Sequence, residues 1–255
     1  MAKAPNYSVP ALEKGLDLLE LLAAVAVPQS LAELASRLDR SSSELFRMLN
    51  CLEKRDYISR DPLAGKYALT LKLFTLAHSH SVVDKLLQAA RQPMREVTET
   101  MRESCHLSVL DRGRLLVIAQ EDSPEPVRLS IEVGAVFDAP RTASGRLLLA
   151  HLTDDALADA LAASSAAGEF SSQARRQFDR SLADLRKTNV STADSETIDG
   201  VRDVAVLVGA PQTGIMAALA TTRLVRHGRP ANDSALVAAL RKAADSITRS
   251  LGLVT

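Results

Sequence analysis

The residues best placed to do chemistry lie in SSSELFRMLNCLEK, from Ser41 to Lys54. Leu45, Met48, Leu49 and Leu52 recur at three- and four-residue intervals, so they share the buried side of a helix. Ser42, Ser43, Phe46 and Arg47 avoid that side and follow the helix start. An arginine placed there can bond a guanine edge with both arms of its fork or clamp a phosphate. Ser42 and Ser43 suit phosphate or base contact, or simply cap the helix. Phe46 suits a thymine methyl group, or packing against a neighbouring hairpin. Phosphate would repel the Glu44 carboxylate, so Glu44 is assigned to helix capping instead. Further on, Arg60 and Lys66 flank the turn Asp61–Gly65. They suit phosphate or minor-groove contact, or are ordinary solvated charges.

The elements that must position these residues are legible around them. Ser30 with Glu33, and Ser41 with Glu44, are two S-x-x-E capping boxes eleven residues apart, each opening an amphipathic helix. The few residues between the helices, Asp39 and Arg40 among them, suit a helix-turn-helix whose second helix is offered to a major groove. Residues 57–60 and 66–69 read as strands, which makes the whole a winged helix. Upstream, a helix from Pro10 to near Pro28 carries Leu12, Leu16, Leu18, Leu19, Leu22 and Ala23. That is more apolar surface than one small domain can cover, so a second chain is expected to pair there. The expected organisation is a flexible tail over 1–9, a winged helix-turn-helix over 10–69, a linker helix over 70–81 and a second domain over 82–255.

Bulk composition narrows the class. The chain has 255 residues, of which 46% are hydrophobic, enough for two cores, but only 3% are aromatic and none is Trp, so Leu, Ala and Val must fill them. Formal net charge is zero, yet Arg37 to Lys72 holds eight basic against five acidic residues, a surplus that permits phosphate contact. Cys51 and Cys105 form neither a disulfide framework nor a zinc pattern. Cys105 and His106 are strand neighbours that point to opposite faces, so they make no thiol–imidazole pair. His78, His80, His151 and His227 show no ligand spacing, and no P-loop, G-x-S-x-G or H-E-x-x-H motif is present. Neither an enzyme, a metal nor a cofactor is expected. The start has no signal-peptide core and no apolar run spans a bilayer, which gives a cytoplasmic protein without a membrane partner.

The second domain reads as α+β. A helix over 82–102 contains Pro93, which should kink or split it. A hairpin follows over Cys105–Leu110 and Arg114–Glu121, with VRLSIEVG (127–134) as a third strand. Helices are expected over 141–152 (capped by Thr142 or Ser144), from Thr153, over 171–187 and over 232–251, with an Ala- and Ser-rich loop at 162–167. Strands are expected over 190–192, 204–208 and 215–221.

VPALEKGLDLLELL, SLAELASRL, CLEKRDYISRD, GKYALTLKL, HLSVLDRGRLLVIAQ, TASGRLLLA, DGVRDVAV and GIMAALATT, in this order and spacing, resemble the IclR family of bacterial transcriptional regulators over essentially the whole chain. The resemblance implies an N-terminal winged helix, a linker helix and a C-terminal effector-binding domain of GAF-like fold. Its implied partners are a double-stranded DNA operator, a small organic effector and a second copy of the chain, commonly as a dimer of dimers. Function would be control of a catabolic operon in response to a small organic acid or related metabolite. Carried over by motif, the effector residues are Leu129, Ala143, Ser144, Asp203, Ala220 and Thr222, with Asp194 nearby. TASG could offer backbone N–H groups to a carboxylate. Asp203 stands where the family often has Cys, and suits a hydroxyl, amine or amide, unless it only pairs with Arg202, Arg141 or Arg146. The alternative is a small-molecule-binding protein whose winged helix makes protein contacts.

Overall fold

The computed structural model describes residues 9–78, 82–164, 171–194, 199–225 and 233–253. The tail over 1–8, His80, His227, Asn232 and residues 165–167 of the Ala/Ser-rich loop lie outside them. The chain divides into two compact units, Met1–Ser81 and Val82–Thr255.

In the first unit, α1 (Pro10–Val25), α2 (Leu31–Leu38) and α3 (Ser42–Lys54) precede the hairpin β1 (Ile58–Arg60) and β2 (Tyr67–Leu69), and α4 (Lys72–His78) follows. Both capping boxes form. Ser30 Oγ accepts from Glu33 N–H at 3.3 Å and the Glu33 carboxylate accepts from Ser30 N–H at 2.6 Å; Ser41 and Glu44 repeat this at 3.3 and 3.2 Å. The α2–α3 turn depends on Asp39, which takes φ +50° and donates its N–H to Ala35. Leu18, Leu22, Leu34, Leu45, Leu49 and Tyr67 form the core. An Asx turn closes the wing: Asp61 Oδ1 accepts from Leu63 and Ala64 N–H at 2.8 and 2.7 Å, and Gly65 at φ +65° completes it. Gln29 and Tyr67 exchange two backbone hydrogen bonds at 2.9 and 2.7 Å, pinning the wing to the segment before α2.

The second unit is an antiparallel sheet of six strands in the order β5-β4-β3-β8-β7-β6. Its strands are β3 (Cys105–Asp111), β4 (Arg114–Glu121), β5 (Val136–Asp138), β6 (Val190–Asp194), β7 (Val201–Ala210) and β8 (Ile215–Leu224). The helices are α5 (Val82–Met101), α6 (Ala143–Leu149), α7 (Asp154–Ala162), α8 (Ser172–Thr188) and α9 (Ser234–Ser250). One sheet face packs Cys105, Leu107, Val204, Val206 and Leu219 against α5 and α9. On the other, Leu115 and Ala218 join residues of α6, α7 and α8.

Three expectations change. Residues 127–134 are not a strand. Their neighbourhood bonds through side chains (Ser130 Oγ to Asp122 Oδ1 at 2.7 Å, Arg128 to Asp122 at 3.5 Å), and backbone bonding to β4 starts only at Gly134 (φ +92°), whose N–H donates to the Val117 carbonyl at 2.8 Å. The third strand is therefore Val136–Asp138. Pro93 does not split α5, which runs unbroken through it with the proline buried. Finally, β7 and β8 are longer than their apolar stretches, because the ladder continues through Arg202, Asp203, Thr222 and Arg223.

Candidate functional site

The first unit gathers the candidate nucleic-acid residues on its surface. Ser42, Ser43, Phe46 and Arg47 are all exposed on α3. Ser41 supplies the cap, which leaves Ser42 as the first helical residue, while Ser43 Oγ lies 3.2 Å from Ser41 Oγ. Phe46 remains 44% exposed, so the wing does not bury it. Glu44 accepts from Lys14 Nζ at 2.7 Å and from Ser41, and these partners hold its carboxyl down to about 2. The Arg60 guanidinium lies over the Tyr67 ring, 5.4 Å from its centre, and Lys66 Nζ is 3.8 Å from Glu33. Both wing cations are thus held at their charged ends by weak contacts that a phosphate could outcompete.

The second unit holds a cavity of about 370 Å³ between the sheet, the start of α6 and the loop over 129–135. Leu129, Ala143, Ser144, Asp203 and Thr222 all line it. Ala220 does not: it is buried with Leu147 and Ala205 beneath α6. Asp194 does not either, since it ends β6 and accepts from Arg202 Nη1 at 2.7 Å. Arg202 Nε also donates to Asp233 at 2.8 Å, so it is not the partner of Asp203. Asp203 instead accepts from Thr222 Oγ1 at 2.7 Å; burial pushes its carboxyl up, opposed by that hydrogen bond and by Arg146. Thr142, not Ser144, caps α6, and its Oγ1 already takes the Gly145 N–H at 3.0 Å. Fewer first-turn amides are left for a ligand than the TASG segment suggested.

His106, which makes no pair with Cys105 and is not among the residues implied by the resemblance, lines the cavity. The alternation along β3 carried that signal: Cys105 enters the α5/α9 core, so His106 must face the other way. Cys105 behaves as a small hydrophobe, its thiol pushed up to about 12 by burial. The apolar walls Leu115, Val117, Ile131 and Phe137 were also unassigned; the first two lie in the expected hairpin. Among the described residues, no cluster of His, Cys, Asp or Glu could hold a metal ion, and no helix is long and apolar enough to cross a membrane.

The profile of the IclR C-terminal domain of bacterial transcriptional regulators matches residues 78–249, and that of the IclR helix-turn-helix domain matches residues 11–62. The chain belongs to the IclR family of bacterial transcriptional regulators. An IclR-family chain is a ligand-responsive DNA-binding regulator and not an enzyme. Among its relatives, the glycerol operon regulatory protein of Streptomyces coelicolor is 26% identical over 252 residues, spanning 96% of this chain and 97% of that one. The transcriptional regulator KdgR of Escherichia coli is 34% identical over 121 residues, 47% of this chain and 46% of that one. Among solved structures, an IclR homologue from Microbacterium hydrocarbonoxydans complexed with 4-hydroxybenzoate superposes with a TM-score of 0.77 at 22% identity, covering 96% of this chain and all of that one. As an IclR-family member, the chain carries a winged helix-turn-helix in its first unit and an α/β effector domain in its second.

Proposed function

We propose that this regulator controls a catabolic operon, and that its effector, a small organic acid or related metabolite, occupies the cavity of the second unit. The supporting observation is the cavity itself: about 370 Å³, largely apolar, with convergent polar groups at Ser144, Asp203 and Thr222, the usual make-up of a small-ligand site. The name of the Streptomyces coelicolor relative, a glycerol operon regulator, agrees with carbon catabolism. In this reading residues 82–255 are an effector-binding domain of GAF-like fold, 10–69 bind DNA and 70–81 link the two. The protein works in the cytoplasm as a dimer, or as a dimer of dimers. Two copies of α3 enter successive major grooves of a palindromic operator, with Ser42, Ser43, Phe46 and Arg47 at the bases and phosphates and Arg60 and Lys66 beside the wing. The effector changes DNA affinity only as far as it binds the two states of the protein differently.

The test starts with selection of duplexes from genomic fragments, followed by anisotropy titration of the selected site. Arg47→Ala should weaken binding by roughly tenfold or more. Unchanged affinity in Arg47→Ala overturns direct readout by α3. A thermal-shift screen against organic acids, sugar acids and alcohols then seeks an effector. A hit that leaves operator affinity unchanged overturns the effector assignment.

A further inference from the structure

Three polar side chains meet on the inner wall of the cavity, and two have no protein partner. His106 is only 6% exposed and lines the cavity, and its ring takes part in no hydrogen bond among the described residues. Ser144 is 4% exposed and lines the same space from α6, and its hydroxyl likewise has no partner among the described residues. Buried polar groups without partners are costly and uncommon unless something else satisfies them. The third group, Asp203, gives one carboxylate oxygen to Thr222 and keeps the other.

The sheet sets these groups in a row. His106 stands opposite Ala220 in the β3–β8 ladder, and Asp203 stands opposite Thr222 in the β7–β8 ladder. Ala220 and Thr222 are two residues apart on β8, so they share a face. His106 and Asp203 therefore flank β8 on the cavity side, with Ser144 approaching from the helix layer. The only guanidinium among the lining residues, that of Arg141, lies 3.8 Å from the Asp138 carboxylate. Arg146, whose charge acts on Asp203, is not among the lining residues.

We propose that this wall selects a ligand whose inward end carries a hydroxyl group rather than a carboxylate, with His106, Ser144 and Asp203 as the selecting residues. A hydroxyl can donate to the free Asp203 oxygen and accept from a neutral imidazole or from the Ser144 hydroxyl. A carboxylate in that place can donate nothing, and it confronts the Asp203 charge. Any carboxylate the ligand bears points away from this wall. The inference rests on the reading of the cavity as the effector site, and narrows it to hydroxylated compounds of about one ring or a short chain, set by the volume.

The test uses the full-length protein, thermal shift and calorimetry, and probe pairs that differ at one end: benzyl alcohol with benzoate, 4-hydroxybutyrate with succinate, 4-(hydroxymethyl)benzoate with terephthalate. The hydroxyl member of at least one pair should bind more tightly than its carboxylate counterpart. Asp203→Ala and His106→Phe should each weaken that member by about tenfold, whereas His106→Gln, which keeps a donor and an acceptor, should restore part of the loss. Asp203→Asn should raise the affinity of the carboxylate member, a change of preference that mere structural damage would not produce. Tighter binding of the carboxylate members overturns this inference and leaves the cavity assignment standing. Leu129→Trp fills the cavity from its loop; hydroxyl-probe binding that survives it overturns the cavity assignment itself. The absence of binding by every hydroxyl probe overturns the inference.

Discussion

His106 shows what burial does to one imidazole. Removal from water takes its pKa from 6.5 down to about 4, so the folded protein keeps the ring neutral. Between those values the unfolded chain binds a proton that the folded chain refuses. Stability contributed by this residue is therefore complete above pH 6.5 and is lost as pH falls toward 4, by at most about 3 kcal/mol. Asp203 acts in the opposite sense, because burial raises its carboxyl and protonation relieves the cost. Urea unfolding at pH 7 and pH 5 should show a steeper loss for the native protein than for His106→Phe. Equal slopes would mean that the ring is not desolvated. Its strand neighbour gives a second residue-scale expectation. Cys105 is buried with its thiol pushed up to about 12, whereas Cys51 is exposed. Iodoacetamide under native conditions should modify Cys51 alone, and Cys105 only after denaturation, as peptide mass mapping would read.

At the scale of elements, α6 depends on a residue that no polar motif announces. A Cβ on Gly145 would lie 2.2 Å from the Ala139 carbonyl oxygen, so the helix and the turn before it meet at van der Waals contact of bare backbone. Gly145→Ala should cost about 2–3 kcal/mol and push apart the segment that carries Arg141, Thr142, Ala143 and Ser144. Thermal unfolding together with probe affinity would check it; a native melting point would show that the turn yields freely. Capping was the most readable part of the sequence: Ser30, Ser41, Thr153 and Ser171 each cap the helix expected after them. Irregular backbone was the least readable. VRLSIEVG alternates like a strand, but Asp122 holds Arg128 and Ser130 through their side chains, and the segment reaches β4 only at Gly134. The ends of β7 and β8 escaped notice for the converse reason, since polar residues such as Asp203 and Thr222 are held by pairing that hydropathy does not mark. Five effector residues inferred from the resemblance line the cavity, whereas His106 required counting strand parity from Cys105.

At the scale of the molecule, each unit has its own buried core, so each contains what independent folding needs. What the first unit leaves uncovered is a row of leucines on α1: Leu12 is 60% exposed and Leu16 47%, while Leu18 and Leu22 on the same helix are buried. An apolar stripe of this kind, beside a helix offered to DNA, supports the proposed pairing of two chains. Leu12→Glu with Leu16→Glu should lower the self-association constant in sedimentation without unfolding the unit, because neither side chain belongs to its core. Unchanged association would place the interface elsewhere. Lys14, on the same turns of α1 but facing away from these leucines, ties the helix to Glu44 at the start of α3, so a shift of α1 on pairing would reach the DNA-facing helix through this contact.

The β3–β4 ladder contains one irregularity: Leu107 faces Ala119 but Ser108 faces Val117, leaving Ile118 without an opposite number. Ile118 and Ala119 both pack toward the α5/α9 core, and only beyond them do Val117 and Leu115 turn into the cavity. Ile118 is therefore a spacer that resets odd and even along the strand. A one-codon deletion of Ile118 would leave every pair of the ladder in place, Leu107 with Ala119 and Ser108 with Val117, and restore plain alternation along β4. The pocket would keep Val117 and Leu115 as walls, so at this one point the strand can lose a residue without changing which side chains meet the ligand.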